Sequence, residues 1–182
     1  MCNRLELALL GQAEVRLDGE PVTGFGASKA EALLFFLAVT GLSHSRAALA
    51  AMLWQDMPES DALMNLRQVL TSLRRLVGPH LHITRHTVRF RRDRPYWLDV
   101  EEFEAGTAHP AEKDVPSEGT KAAVELYRGD FLAGFYVREA PTFEEWMLSQ
   151  RARLRDAALN ALQSFVTAYA YRGDYEKGIN YA

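Results

Sequence analysis

Cysteine is nearly absent from this 182-residue chain: Cys2 stands alone. That excludes a disulfide framework and a cysteine-based metal site. Long hydrophobic runs are also missing. The longest, Ala32 to Val39, is far too short to cross a bilayer, so no membrane partner is expected. The N-terminus lacks a basic stretch leading into an apolar run and a small-residue cleavage site, so the expected location is the cytoplasm. No glycine-rich phosphate loop occurs, and no motif sets a nucleophile beside a base and its orienter. An enzyme is therefore not expected, nor is a cofactor. His80, His82 and His86 have only chance-level spacing for a metal site, and the Arg-Gly-Asp triplets at 128–130 and 172–174 fall where helices stop.

What is present is positive charge in one place. Residues 60–94 carry eight arginines against Asp61 and Asp93, a local charge of +6 in a chain of −3. The split extends to the halves: residues 1–98 sum to +3 and residues 99–182 to −6. A concentrated basic segment within an acidic protein points to a polyanionic partner.

The order of elements gives that charge a shape. Alternating residues near 4–10, 13–18 and 21–25, with Asp18-Gly19 as a turn, predict a small antiparallel sheet. Ser28 and Glu31 have the spacing of a capping box ahead of a helix that is apolar nearly all round and stops at Gly41. Ser45 is placed to cap a second helix through Trp54. A third runs from about Ser60 to the Gly78-Pro79 break. On its wheel, Ala62, Leu66, Val69, Leu70, Leu73, Leu76 and Val77 share one face. The opposite face carries Asn65, Gln68, Thr71, Ser72 and Arg75, flanked by Arg67 and Arg74, with no acidic residue after Asp61. Alternation then predicts a hairpin with Arg85-His86 at its tip. Sheet, three helices and hairpin make a winged helix-turn-helix, whose third helix enters the major groove while the wing grips the backbone.

The expected DNA-reading set is therefore Asn65, Arg67, Gln68, Thr71, Ser72, Arg74 and Arg75, because Arg and Gln can pair with base edges. The expected backbone set is Lys29, Arg46, Arg85, His86, Arg89, Arg91 and Arg92. Two alternatives stay open: Arg67 could pair with Asp61 or an acidic residue of the second half, and Arg46 could only cap its helix. The competing reading of the whole is a protein-interaction module whose winged helix no longer binds DNA.

The acidic half reads as helical. A short helix is expected over 99–108, burying Val100 and Phe103, then a loop over 106–119 and a helix over 118–128. Thr142 and Glu145 have capping-box spacing ahead of a long helix to about Tyr171, followed by a Gly173-Asp174-Tyr175 turn into another helix. That last pattern is similar to one tetratricopeptide unit, which needs neighbours to cover its apolar face. The fold class expected is α+β: a winged helix-turn-helix with a small antiparallel sheet over 1–98, then an all-α tetratricopeptide-like domain over 99–182.

Several motifs in this order carry a family resemblance. They are Leu9-Leu10-Gly11, Asp18-Gly19, Ser28-Lys29, Leu53-Trp54 and Asn65-Leu66-Arg67 with Leu73-Arg74-Arg75-Leu76. Further along come Trp97-Leu98-Asp99-Val100, Leu126-Tyr127-Arg128-Gly129-Asp130-Phe131-Leu132, and Phe143-Glu144-Glu145-Trp146. Across nearly its full length the chain resembles the N-terminal part of the Streptomyces antibiotic regulatory protein (SARP) family. Such proteins join an OmpR-like winged helix to a bacterial transcriptional activator domain. The resemblance implies a DNA-binding activator, with double-stranded DNA as partner. It also implies RNA polymerase or a second protomer at the helical half, and further helices beyond Ala182. The chain departs from the family pattern at Gln55, at Leu63 and at the glycine-free wing tip.

Overall fold

The alternating N-terminal residues form β1 (Leu5–Ala8) and β2 (Glu14–Leu17), paired antiparallel with Leu7 opposite Val15, in a computed structural model that describes residues 3–108 and 118–172. The turn after β2 places Asp18 and Gly19 at φ 52° and 86°, the left-handed pair that a two-residue hairpin requires. Asp18 fixes it by accepting from the Arg4 amide at 2.8 Å. β3 (Glu20–Pro21) is only two residues long. The fourth strand is β7 (Tyr96–Leu98), which lies parallel to β1 and gives the order β3-β2-β1-β7. β7 is not among the expected strands, since three residues cannot display a period.

α1 (Ser28–Thr40) is the apolar helix. Its start corrects the expected capping box. Ser28 is already helical, Ala27 sits in the cap position with extended backbone, and no side chain caps the end. Glu31 instead lies half-buried, and burial raises its carboxyl above the ordinary range. The stop at Gly41 holds, with φ 62° and its amide donating to Leu37 O. A Cβ there would meet only the movable end of the Arg92 side chain, so it is the positive φ that favours glycine.

Ser43–Ser45, expected as linker, forms β4. It joins β5 (Leu81–Ile83) and β6 (Thr87–Phe90) in a sheet of order β4-β6-β5. Its one inward residue, His44, packs on Phe36 at 4.7 Å and bonds Thr40 Oγ1 at 2.9 Å; burial lowers its pKa. Ser45 caps α2 (Arg46–Leu53) as expected, accepting from the Ala48 amide at 3.1 Å. α3 (Glu59–Val77) buries Ala62, Leu66, Leu70, Leu73 and Val77 against α1 and α2, with Val69 and Leu76 half-buried. Each fully buried leucine contributes about 1.5–3 kcal/mol by leaving water. A short 3-10 turn leads into β5.

The second half begins without a break. α4 (Asp99–Thr107) follows β7 directly and packs on α5 (Glu118–Leu126). The fully buried Asp99 accepts from the amides of Leu9 and Leu10 at 2.7 and 2.8 Å through Oδ2. Its Oδ1 has no partner, and Arg128 stands 3.8 Å from Oδ2. Burial outweighs those amides and Arg128, so the carboxyl is raised above its usual range.

Nearby, Leu132 donates its amide to Leu9 O at 2.8 Å, Ala133 to Gly11 O at 2.8 Å, and Gly11 to Asp130 O at 3.2 Å. Leu132 has φ 52°, an uncommon conformation for leucine. Arg151 reaches back from α6 (Pro141–Arg172) to donate to the carbonyls of Phe131 and Leu132 at 2.7 and 2.6 Å. Phe135 packs on Phe35 and Trp146 on Phe36, at 5.4 and 4.9 Å between ring centres. This explains why α1 is apolar all round: the winged half covers one side, and residues from 131 to 146 cover the other. One hydrophobic core thus runs from Leu5 to Ala158 across residue 98.

α6 begins one residue before the expected cap. Pro141 takes the first helical position, where its missing amide costs nothing, and Ala140 O accepts from Glu144 N at 3.0 Å. Thr142 is consequently inside the helix, and its hydroxyl donates to Gln55 at 2.7 Å instead of capping. Met147, Leu154, Ala158, Ala161, Phe165 and Tyr169 recur at helical spacing along α6 and are buried. The helix expected from 118 to 128 ends at Leu126, and α4 and α5 occupy both ends of the expected 106–119 loop. Positions 109–117 of that loop, and the turn and helix expected after 172, lie outside the described residues. No helix among the described residues is long and apolar enough to cross a membrane.

Candidate nucleic-acid interface

Because the apolar stripe of α3 is docked on α1 and α2, its opposite face must look outward. Arg67, Gln68, Thr71, Arg74 and Arg75 are exposed there, and Asn65 and Ser72 are half-buried. Three of these side chains bond within the protein. The Ser72 hydroxyl turns inward and donates to Phe25 O at 3.3 Å. Asn65 Nδ2 points to the Met57 sulfur at 3.3 Å. The Thr71 hydroxyl donates to Arg67 O at 2.9 Å. The long side chains of Arg67, Gln68, Arg74 and Arg75 are the ones left to project.

The wing adds a second basic surface. Val88 and Phe90 of β6 point into the core, so the pleat sends Thr87 and Arg89 to solvent. Arg89 lies opposite His82 on β5 and Ser43 on β4, both exposed. β4 thus widens the wing face, a feature the sequence reading missed. Arg85 and His86 form the tip, as expected, and both are exposed.

The expected backbone set divides according to what each cation touches. Arg91 holds Asp93 through both ends of its guanidinium, at 3.2 and 2.7 Å, and this bond pushes the Asp93 carboxyl down to about 2. Arg92 pairs with Glu101 and lies against Gly41 at the end of α1. Lys29 sits over the Trp54 ring at 5.1 Å and donates to Glu139 O at 3.3 Å. Burial lowers its pKa, opposed by the charges of Glu139 and Asp56. Arg91, Arg92 and Lys29, expected on the DNA backbone, thus each have a partner within the protein. By contrast, none of the ion pairs found among the described residues uses Arg46, Arg67, Arg74, Arg75, Arg85 or Arg89. The alternative in which Arg67 pairs with Asp61 or the acidic half does not occur among them. The base of the hairpin is neutralised while its tip and α3 stay charged.

Four of the expected residues meet in one place. Arg46 at the start of α2, Arg67 on α3, and Arg85 and His86 at the tip line a groove of about 480 Å³. The Arg46 amide donates to His86 O at 2.9 Å, which ties the tip to α2. Leu66, expected on the packing face, and Leu63, one of the departures from the family pattern, supply its apolar side.

Residues 98–182 match the model of the bacterial transcriptional activator domain. In this chain the matched segment follows the winged helix directly, from the end of β7 onward. A solved structure of Mycobacterium tuberculosis EmbR in complex with a low-affinity phosphopeptide superposes with a TM-score of 0.69 at 24% identity. The match covers 94% of this chain and 47% of that one, so the chain spans about half the length of its solved counterpart. The likeness shows the same α+β fold in another protein. No curated protein matches the chain.

Proposed function

We propose that the chain is the DNA-reading and activating part of a transcriptional regulator, with residues 1–98 reading DNA and residues 99–182 acting as the activator half. One observation carries this reading: the exposed arginines of α3 and the wing tip have no carboxylate partner among the described residues, while neighbouring Arg91 and Arg92 do. A face kept only for solubility gains nothing from holding one sign of charge unpaired, whereas a polyanion supplies the missing partners. Gln68, Arg74 and Arg75 project far enough to reach base edges in the major groove. Arg85 and Arg89 on the wing meet phosphates. The helical half contacts protein, RNA polymerase or a second protomer. Selection of bound duplexes from a random pool tests the reading. A recovered motif supports it; recovery of no sequence above background, with no DNA retention, favours the protein-interaction module.

A further inference from the structure

The groove between α2, α3 and the wing tip gives Arg67 a role different from its neighbours on α3. We propose that Arg46, Arg67 and Arg85 form a clamp for a single backbone phosphate, so that Arg67 holds the DNA strand and does not read a base. This rests on the DNA-binding reading above. Three arginines from three elements line one groove, and none has a carboxylate partner among the described residues.

Like charges held together repel, and an anion between them removes that cost. Arg46 Nε is shielded from solvent with no hydrogen-bond partner, a donor waiting for an acceptor. Leu63 and Leu66 make the site less polar than open surface, which strengthens an ion pair formed there and offers the neighbouring sugar an apolar wall. The backbone bond from Arg46 to His86 fixes the tip against α2, so the three cations are positioned before DNA arrives. A side chain committed to this site beside a wing-tip arginine meets the strand, leaving Gln68, Arg74 and Arg75 for the groove floor.

The test uses the full chain with R67Q, R85Q and R75Q, each checked for an unchanged urea midpoint. Affinity is measured by fluorescence anisotropy across a salt series, on a selected duplex and on a scrambled one. The clamp predicts that R67Q and R85Q each lose about tenfold or more on both duplexes. The ratio between duplexes stays constant, and each salt slope flattens, by at most the about 0.9 that one phosphate contributes. R75Q instead lowers the ratio. Titration with inorganic phosphate separates the two sources of a phosphoryl group. Tight phosphate binding lost in R67Q, with DNA binding untouched, assigns the groove to a small phosphate and overturns the clamp. An R67Q chain that keeps the wild-type slope, or loses preference at one base pair, also overturns it. Absence of any DNA binding by wild type removes the parent reading as well.

Discussion

Asp99 joins the two halves, and removing its carboxylate should loosen the molecule measurably. In Asp99→Ala, the amides of Leu9 and Leu10 lose the oxygen 2.7 and 2.8 Å away, at a site shut off from water. A buried donor left without an acceptor costs about 1–3 kcal/mol, so the substitution should cost about 2–6 kcal/mol. Total stabilities of about 5–15 kcal/mol make that a large fraction. Asp99→Asn should cost less near neutral pH, because one carbonyl oxygen has lone pairs for both amides. What it adds is a buried amide group where Oδ1 now has no partner.

The pH dependence has a definite sign. The folded carboxyl is raised by burial, so its stabilising share is complete below the unfolded value, about 3.9. It is lost as pH rises through the raised folded value. Asp99→Asn should remove that part of the profile. Urea denaturation of the three chains from acid to neutral pH measures both effects. An Asp99→Ala midpoint equivalent to wild type within about 0.5 kcal/mol would refute the clamp between the halves.

Other outcomes follow from the same geometry. Arg75→Ala should weaken binding to a selected site by about 1–3 kcal/mol while leaving non-specific binding largely intact, read by competition between duplexes. Arg89→Ala should lower affinity for all sequences and flatten the salt slope, whereas Arg91→Ala should do much less, because Asp93 already holds its charge. Gly41→Ala should destabilise by about 1–3 kcal/mol in thermal or urea unfolding, from its positive φ.

The parts legible in sequence were those governed by neighbours along the chain. The Asp18-Gly19 turn, the Gly41 stop, the Ser45 cap and the buried stripe of α3 depend on residues within a turn or two. The wing tip at Arg85-His86 follows from alternation on either side of it. What escaped depends on distant partners. β4 and β7 are too short to show a period and become strands only because β6 and β1 offer free edges. The same holds for the bonds from Asp99 to Leu9 and Leu10, and for the cover that residues 131–146 place over α1.

The capping boxes at Ser28 and Thr142 had the right spacing, but both residues lie inside their helices, in the second case because Pro141 starts the helix first. For the interface, the wheel placed the basic face of α3 correctly. It could not separate free arginines from paired ones, since counting charge treats Arg91 and Arg85 alike. The Asp93 two residues from Arg91 was the available clue.

The measurement that bears most directly on the account is the salt dependence of duplex affinity for the wild-type chain. One phosphate held by Arg46, Arg67 and Arg85 and a second met by Arg89 predict log affinity falling linearly with log salt with a slope of about −1.8 or steeper. No binding at low salt, or an affinity indifferent to salt, would contradict it.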